Sequence, residues 1–325
     1  TDSPDDLVDI IIQYFSSNAL SLNDAISLLR IFKHFSIDIK HQLARRIRNS
    51  ILQSKETNAV RYSEILDQDF RRGTDNLDFD ISKELPYDIP TEMLLIQNRT
   101  EFEHSHFRLM FYRALEIPMI SDCAFIEDYK SHFGCYHSQK FESLLRDYND
   151  NSSLIDEFRM NHEIPSYLNI LVLESSNWIC QNRFSVFPES IQPCIEQFGL
   201  FYKEKRPKRC IQWSPTLSSC ELSYNEINIK CNAFVASILF SLAGNKPKSL
   251  NELSSDVHSD KNEIEVVLET LMSKKFGNFV ICKNNKYSIN TEMSKITQIN
   301  YPIRQMKRIT TDVINQNDQN LMSES

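Results

Sequence analysis

The feature that most constrains the fold is a series of helix caps and apolar spacings between residues 233 and 290. Apolar side chains at helical spacing predict a first helix that ends at Gly244. Ser249 and Glu252 have the spacing of a capping box and open a second helix, and Asp260 is placed to cap a third. The side chains that these helices are expected to bury are Phe234, Ile238, Leu242, Ile264, Val267, Leu268 and Leu271.

Two short strands are predicted after the third helix. Their apolar runs, at 279–282 and 287–289, flank the turn Lys283-Asn284-Asn285-Lys286. Paired asparagines favour the tight turn of a two-residue hairpin, because asparagine tolerates positive φ. Three helices followed by a β-hairpin are typical of a winged helix, and the sequence predicts one over 233–290.

Winged helices often bind DNA through the third helix, and others pack against protein. Here the third helix, residues 260–275, carries carboxylates that would repel phosphate, and its lysines only partly compensate for them. We therefore favour a protein-packing role over nucleic-acid binding. The carboxylates are Asp260, Glu263, Glu265 and Glu269, and the lysines are Lys261, Lys274 and Lys275.

The first half of the chain is predicted to be mainly helical. Apolar side chains at helical spacing indicate two or three helices over 1–52, and aromatic stripes indicate a helical bundle over 107–166. Gly134 is placed to end one of the bundle helices. Between these parts, residues 53–106 contain mixed charges without a stable period and two prolines, so we expect an irregular insertion.

A change of period marks the next part, residues 167–232. The apolar run from Leu168 to Leu173 predicts a buried strand, and shorter strands are expected at 210–213 and 219–224. Residues 304–325 are expected to form a tail. These parts together predict a mainly α fold with a smaller α/β part, made of a helical bundle, an α/β sheet domain and a winged helix.

Charge divides the chain unevenly. Residues 1–200 carry 19 basic and 31 acidic side chains, whereas residues 201–325 carry 17 and 13. A division of this kind is typical of a scaffold whose ends meet different partners, and an unevenly charged solvated surface is the alternative. The basic excess is concentrated in Lys203, Lys205, Arg206, Lys208 and Arg209.

No arrangement of residues predicts catalysis, a cofactor or a metal. The chain has only 5 glycines and contains neither GxGxxG nor GxxxxGK[ST], which are the common phosphate-binding motifs. His104 and His106 stand two apart beside Glu101 and Glu103, and on a strand they could hold a metal. On a helix, residues two apart point to different faces, so a metal-dependent hydrolase is kept only as a third hypothesis.

The stretch from Phe107 to Lys307 resembles the C-terminal region of the cullin family through an ordered set of short motifs. The last of these motifs resembles a strand that returns to the α/β domain, at 295–303. A specialised fungal-type cullin and the related subunit of the anaphase-promoting complex are both open as subfamilies. The motifs are Phe107-x3-Phe111-Tyr112-x2-Leu115, Lys130-Ser131-His132-Phe133-Gly134, Lys140-Phe141-Glu142-Ser143-Leu144-Leu145-Arg146-Asp147, Ile170-Leu171-Val172-Leu173 followed by Trp178, Phe187-Pro188, Phe198-x2-Phe201-Tyr202, Arg209-x3-Trp213 and Lys295-x3-Ile299-Asn300-x-Pro302.

The sequence also departs from the family pattern. The basic ending of the family's entry helix is absent after Phe111. Met306-Lys307-Arg308 resembles the family's modifier-acceptor motif, but only 17 residues follow it, so we expect the second winged helix with the acceptor lysine to be missing. The start at Thr1, without Met, a signal segment or an 18-residue apolar run, predicts an excised soluble fragment with no membrane partner.

The resemblance implies a non-catalytic scaffold of a cullin-RING ubiquitin ligase. In the family, a strand of the RING protein joins the α/β sheet by β-augmentation, and the alternative here is a strand already paired within its own domain. The implied RING-binding strand comprises Leu168, Ile170, Leu171, Val172 and Leu173, with Trp178 after it.

The resemblance also implies that the basic run at 203–209 attracts a ubiquitin-conjugating enzyme without a catalytic role. Substrate adaptors are expected to bind through an N-terminal arm that is mostly absent, and the family implies a location in the nucleus and the cytoplasm. The main competing hypothesis is a winged-helix nucleic-acid-binding protein that uses the same basic run.

Overall fold

The computed structural model of the protein divides into two compact units. Unit 1 comprises residues 1–160 and 165–179, and unit 2 comprises residues 161–164 and 180–325. The residues that the structure describes are 10, 13, 21–32, 36–51, 58–75, 88–162, 165, 168–177, 187–244, 246–290 and 298–301.

The described part of unit 1 is built of helices. They are α1 (Leu22–Ile31), α2 (Ile37–Ile51), α3 (Asn58–Asp75), α4 (Ile89–Glu92, followed by a 3-10 turn at Met93–Leu95), α5 (Arg99–Ala114), α6 (Ile120–Phe133) and α7 (Cys135–Asn161). Polar side chains cap three of them, since Ser21 accepts from the amide of Asp24, Asp88 from the amide of Thr91 and Asn98 from the amide of Glu101. Gly134 ends α6 with φ +86°, which confirms its predicted position.

The prediction of an irregular insertion over 53–106 is wrong for α3, α4 and the first half of α5. Helix α3 buries apolar side chains at helical spacing along one face, and several of its charged side chains form ion pairs. The mixed charges of this stretch obscured that pattern in the sequence. Arg71 pairs with Asp67 at 3.0 Å and also contacts Glu116, and Asp67 contacts Arg113. The buried side chains of α3 are Ala59, Tyr62, Ser63, Leu66, Asp67 and Phe70.

Unit 2 combines helices with two small sheets. Its elements are α8 (Gln192–Lys205), β1 (Cys220–Tyr224), β2 (Ile227–Cys231), α9 (Ala233–Leu242), β3 (Lys248–Ser249), α10 (Leu250–Val257), α11 (Lys261–Met272), β4 (Val280–Lys283), β5 (Lys286–Ile289) and β6 (Gln298–Asn300). One sheet has the order β1-β2-β6, with β1 and β2 antiparallel and β6 parallel to β2. The other has the antiparallel order β3-β5-β4. The chain is therefore mainly α with a smaller α/β part.

The helix caps and the hairpin turn predicted from sequence in unit 2 are present in the structure. Ser249 and Glu252 form both bonds of a capping box at the start of α10, and Asp260 accepts from an amide at the start of α11. Asn284 and Asn285 have φ values of 53° and 58°, as the turn between β4 and β5 requires. The core of this part lies among α9, α10 and α11 and the strands that pack on them.

Two predicted strands differ from the structure. Residues 168–174 belong to unit 1, and neither they nor residues 210–213 join a β ladder with the part of the chain that the structure describes. Apolar alternation gives an extended chain, but it does not determine which element supplies the hydrogen bonds. Within the described ranges, no helix is both long enough and apolar enough to cross a membrane.

Candidate functional site

The segment from Leu168 to Glu174, predicted to bind a RING protein, is held along the side of α7. Nη2 of Arg159 donates to the carbonyl of Leu168 at 3.2 Å. Asn151 donates to the carbonyl of Ile170 at 2.8 Å and accepts from the amide of Val172 at 2.9 Å. The polar side chains of α7 thus bind the backbone of every second residue of the segment.

The rise of α7 over four residues nearly equals the advance of the extended segment over two residues. Asp147 accepts from the amide of Glu174 at 2.7 Å, so the residues of α7 that hold the segment stand at multiples of four along one ridge. Four residues of a helix rise about 6 Å, and two residues of an extended chain advance about 6.6 Å. This near match lets one helix ridge hold the segment without a partner strand.

At the centre of this contact, the side chain of Asn151 forms the hydrogen bonds that a neighbouring strand would otherwise form. Its carboxamide satisfies the carbonyl of Ile170 and the amide of Val172, the two groups that one residue of a parallel neighbouring strand would satisfy. The Asn151 side chain is buried, so water does not compete for its two hydrogen bonds. The segment is therefore fixed in an extended form before any partner binds.

The opposite edge of the segment has unused backbone groups. In an extended chain, the amides and carbonyls of alternate residues point to opposite edges, so those of Asn169 and Leu171 point away from α7. Neither residue forms a hydrogen bond with the described part of the chain. Such an edge is a template for an added strand.

The predicted burial of this segment is only partly correct. Ile170 and Leu173 are buried, whereas Leu168, Leu171 and Val172 are half-buried. Trp178, the sixth residue of the predicted RING-binding set, lies outside the described residues.

The basic run predicted to attract a conjugating enzyme lies at the C-terminal end of α8. Arg206 ends the helix with its amide bonded to the carbonyl of Tyr202, and the amide of Arg209 bonds the carbonyl of Arg206 at 2.9 Å. The chain therefore turns at once, which gathers the basic residues at one place. The side chains Lys203, Lys205, Arg206, Lys208 and Arg209 are all exposed.

Three of the charges of this turn are available to a partner. Lys203, Arg206 and Lys208 form no ion pair within the ranges that the structure describes, and the ammonium of Lys205 lies 5.9 Å from the centre of the Phe201 ring. The C-terminus of a helix also carries partial negative charge, which stabilises basic residues there. The turn can therefore present cations to an acidic partner at small electrostatic cost to the fold.

The two histidines of the metal hypothesis lie on different faces of the same helix. His104 is exposed on α5, whereas His106 is buried among the rings of Phe102, Phe125 and Phe141. Neither ring nitrogen of His106 has a hydrogen-bond partner among the residues that the structure describes, and burial, together with the nearby charge of Arg113, holds its pKa well below the ordinary value. No group of three metal-binding side chains occurs among the residues with described positions.

Sequence reasoning missed the side chains of α7 that hold the extended segment. One signal was present, because Ser143, Asp147 and Asn151 are polar residues four apart in a helix whose other faces are partly apolar. Ser143 accepts from Asn177 at 3.0 Å, which extends the same ridge by one turn. Asparagine is also a poor helix former, so its place inside a long helix indicates a local role.

Comparisons with known proteins match part of the chain. Residues 172–302 match the family model described as the cullin alpha+beta domain. Cullin-1 of Oryza sativa subsp. japonica is 22% identical over 206 residues, which cover 57% of this chain and 28% of that protein. The chain thus spans well under a third of that relative's length. Residues 172–302 are thus similar to the cullin alpha+beta domain, and together with this relative they support a cullin-type C-terminal region in the chain.

Proposed function

We propose that this chain is a scaffold subunit of a cullin-RING ubiquitin ligase, which binds a RING protein and positions a ubiquitin-conjugating enzyme. The match to the cullin alpha+beta domain and the similarity to Cullin-1 support the scaffold class. The observation that carries the RING contact is the outward backbone edge at Asn169 and Leu171, held in place by Asn151.

A strand of the RING protein would add to this edge by β-augmentation. Main-chain hydrogen bonds to Asn169 and Leu171 would supply affinity, and the half-buried side chain of Leu171 would contribute apolar contact. Because α7 already fixes the segment in an extended form, binding would cost little ordering entropy on this side. The chemistry of ubiquitin transfer would belong to the partners.

The conjugating enzyme would be attracted by the basic turn at 203–209. Five exposed cations within seven residues, with Glu204 as the only acid among them, give a local positive potential that speeds encounter with an acidic protein. This turn would increase the association rate rather than take part in catalysis. Substrate adaptors and a nuclear and cytoplasmic location follow from the family alone and belong to the same proposal.

A copurification experiment tests the RING contact. The 325-residue chain is expected to bind a RING protein of the cullin-ligase class stoichiometrically, and Leu171→Pro is expected to abolish binding because it removes an outward amide. Asn169→Ala keeps the backbone and is the matched control. Failure of the unmodified chain to bind, or unchanged binding by Leu171→Pro, would contradict the proposal.

A winged-helix protein that binds nucleic acid is the second candidate function. The exposed lysines Lys283 and Lys286 beside the β4–β5 turn favour it, but the exposed carboxylates of Glu265 and Glu269 on α11 oppose it. Residues 233–290 are therefore proposed as a winged helix that packs against protein. Steeply salt-dependent binding of a DNA duplex by the 325-residue chain, without RING binding, would favour the second candidate.

A further inference from the structure

Two cysteines lie directly opposite each other on neighbouring strands of unit 2. Cys220 begins β1 and Cys231 ends β2, and they are partners in the antiparallel register of these strands. Both are free thiols. Opposite residues of an antiparallel pair project their side chains from the same face of the sheet, so the two sulfur atoms lie on one side of it. Cys282 also lies in a β ladder, but its partner there is Tyr287.

The spacing of such a pair suits a disulfide bond. Directly opposite residues have Cα atoms about 4.5–5.5 Å apart, and a disulfide joins Cα atoms about 4.4–6.8 Å apart. Their Cβ atoms are about 4.5–5.5 Å apart, whereas a disulfide needs about 3.5–4.5 Å, so a closing movement of about 1 Å is sufficient. Because the pair is the last of the ladder, at the end away from the turn, only that end of the two strands has to move.

Hydrogen bonds hold the two strand ends together. Directly after β2, the side chain of Asn232 donates to the carbonyl of Thr216 at 3.1 Å. The amide of Ala233 donates to the hydroxyl oxygen of Ser218 at 2.8 Å. These bonds join the chain just before β1 to the chain just after β2. The two thiols are therefore positioned beside each other before any reaction, which lowers the entropy cost of joining them.

The two thiols differ in their access to solvent. Cys231 is 0% exposed and lies in a core cluster with Ile229 and Phe234. Cys220 is half-buried, and it packs against both this cluster and a second one that includes Phe187. A small oxidant therefore reaches Cys220 first, and Cys231 is placed to react with the oxidised sulfur.

We propose that Cys220 and Cys231 form a reversible disulfide when hydrogen peroxide oxidises unit 2. The sulfur of Cys220 attacks one peroxide oxygen, so that an S–O bond forms, the O–O bond breaks and hydroxide leaves a sulfenic acid behind. The sulfur of Cys231 then attacks that of Cys220, so that the S–S bond forms, the S–O bond breaks and a second hydroxide leaves. The two thiol protons convert the hydroxides to water. The peroxide thus takes one electron from each sulfur, and a dithiol reductant reverses the modification.

Burial makes the pair slow to react. Desolvation raises the pKa of both thiols, and the neighbouring Cys220 raises the pKa of Cys231 further, as expected of two groups in close proximity. Only the thiolate attacks, so the reaction is slow at neutral pH and accelerates as the pH rises. The pair therefore responds to sustained oxidation and is unsuited to rapid redox catalysis.

The disulfide ties β1 to β2 at the end of the hairpin opposite its turn. Strand β2 is the central strand of its sheet, between β1 and β6, and α9 begins two residues after it. A cross-link that closes a loop restricts the unfolded chain, so oxidation should oppose the opening of this hairpin. The inference concerns unit 2 alone and does not rest on the proposed function.

Peptide mapping of the 325-residue chain tests the proposal. The chain is treated with hydrogen peroxide, free thiols are blocked with N-ethylmaleimide, and trypsin is added without a reductant. Cleavage after Lys230 separates the two cysteines, so the disulfide would join peptides 210–230 and 231–248. We expect this joined pair to form and to disappear with dithiothreitol. Its rate of formation should rise up to about tenfold per pH unit between roughly pH 7 and 8.5, because the thiolate fraction rises by that factor.

Variants assign the bond to its two sulfurs. Peptide 210–230 also contains Cys210, so Cys210→Ser should keep the joined pair, whereas Cys220→Ser should abolish it. In Cys231→Ala, the sulfenic acid of Cys220 has no second thiol to react with, and it should accumulate and be trapped by dimedone. Cys282→Ser is the matched control and should leave the yield of the joined pair unchanged.

Three outcomes would overturn the inference. They are absence of the joined pair when the exposed Cys210 and Cys282 have already been oxidised, a joined pair that persists in Cys220→Ser, and a joined pair that is lost in Cys210→Ser. The last two would assign the bond to Cys210.

Discussion

The guanidinium of Arg113 forms two hydrogen bonds with the carboxylate of Asp122, and both side chains are 1% exposed. Arg113 also pairs with Asp67 of α3 and lies over the Phe70 ring. Helices α3, α5 and α6 are therefore joined at one buried cation. A buried ion pair stabilises a fold little compared with apolar packing, but removal of one partner leaves an uncompensated charge.

Truncation of this arginine should strongly destabilise unit 1. Arg113→Ala leaves Asp122 buried without its cation and Asp67 paired with Arg71 alone, and we expect a loss of about 3–5 kcal/mol in the free energy of unfolding. Arg61→Ala is the matched control, because its exposed pair with Glu64 should contribute less than about 1 kcal/mol. Urea unfolding followed by circular dichroism measures both, and similar losses in the two variants would contradict the role of the buried network.

The buried imidazole of His106 predicts a dependence of stability on pH. Burial first, and then the charge of Arg113, depress the pKa of folded His106 well below the unfolded value near 6.5. As the pH falls below about 6.5, the unfolded chain therefore takes up a proton that the folded chain does not. Unit 1 should lose up to about 1.4 kcal/mol per pH unit from this residue.

Replacement of the ring tests this dependence. His106→Phe keeps a ring among Phe102, Phe125 and Phe141 but cannot bind a proton, so its unfolding free energy should fall less between pH 7.5 and 5.5. It should also be more stable at pH 7.5, because two unsatisfied buried nitrogens are removed. His104→Phe, on the exposed face of the same helix, should keep the original pH profile. Identical profiles for all three proteins would refute the prediction.

How far the sequence predicts this fold depends on the distance between interacting residues. The capping box of Ser249 and Glu252 and the turn at Asn284 and Asn285 involve neighbours in sequence, so local patterns predict them. Helix α3 was missed because its charges pair with residues far along the chain, Arg113 being 46 positions from Asp67. Without those partners, a mixture of charges in sequence indicates a solvated loop.

The candidate RING-binding segment also depends on a contact between residues that are distant in sequence. Apolar alternation from Leu168 predicts a buried strand, whereas in the structure helix side chains supply the hydrogen bonds of this segment. Asn151 is 19 residues from Ile170, and the contact requires a match between helix rise and strand advance that no pattern in either segment reveals alone. The basic residues of the turn, by contrast, form one contiguous run in the sequence.

Asn151 should control the order of the extended segment. Asn151→Leu leaves the carbonyl of Ile170 and the amide of Val172 without partners, and we expect a local cost of about 1–3 kcal/mol. Hydrogen exchange measures this cost, since the Val172 amide should be protected in the original protein and exchange faster in the variant. Asn149→Leu changes an exposed asparagine of the same helix and should leave the protection unchanged.

The same measurement monitors the proposed RING contact. The outward amides of Asn169 and Leu171 should exchange rapidly in the free chain and become protected when a RING protein adds its strand. In Asn151→Leu the RING protein should bind more weakly, because the segment must then be ordered on binding. Binding of a RING protein without new protection at Leu171 would place the contact elsewhere.

Reversal of charge in the basic turn should slow ubiquitin-chain synthesis without loss of RING binding. In Lys203→Glu, Arg206→Glu, Lys208→Glu, the attraction that brings an acidic conjugating enzyme becomes repulsion, and we expect the rate to fall by about an order of magnitude or more at low salt. The difference from the original protein should shrink as salt increases, because the Debye length falls from about 30 Å at 0.01 M to about 8 Å at 0.15 M. The matched control reverses Lys246 and Lys283, which are exposed elsewhere in unit 2, and should have little effect. Rates of chain synthesis at several salt concentrations measure the effect, and equal rates for the two variants under all conditions would exclude a steering role for the turn.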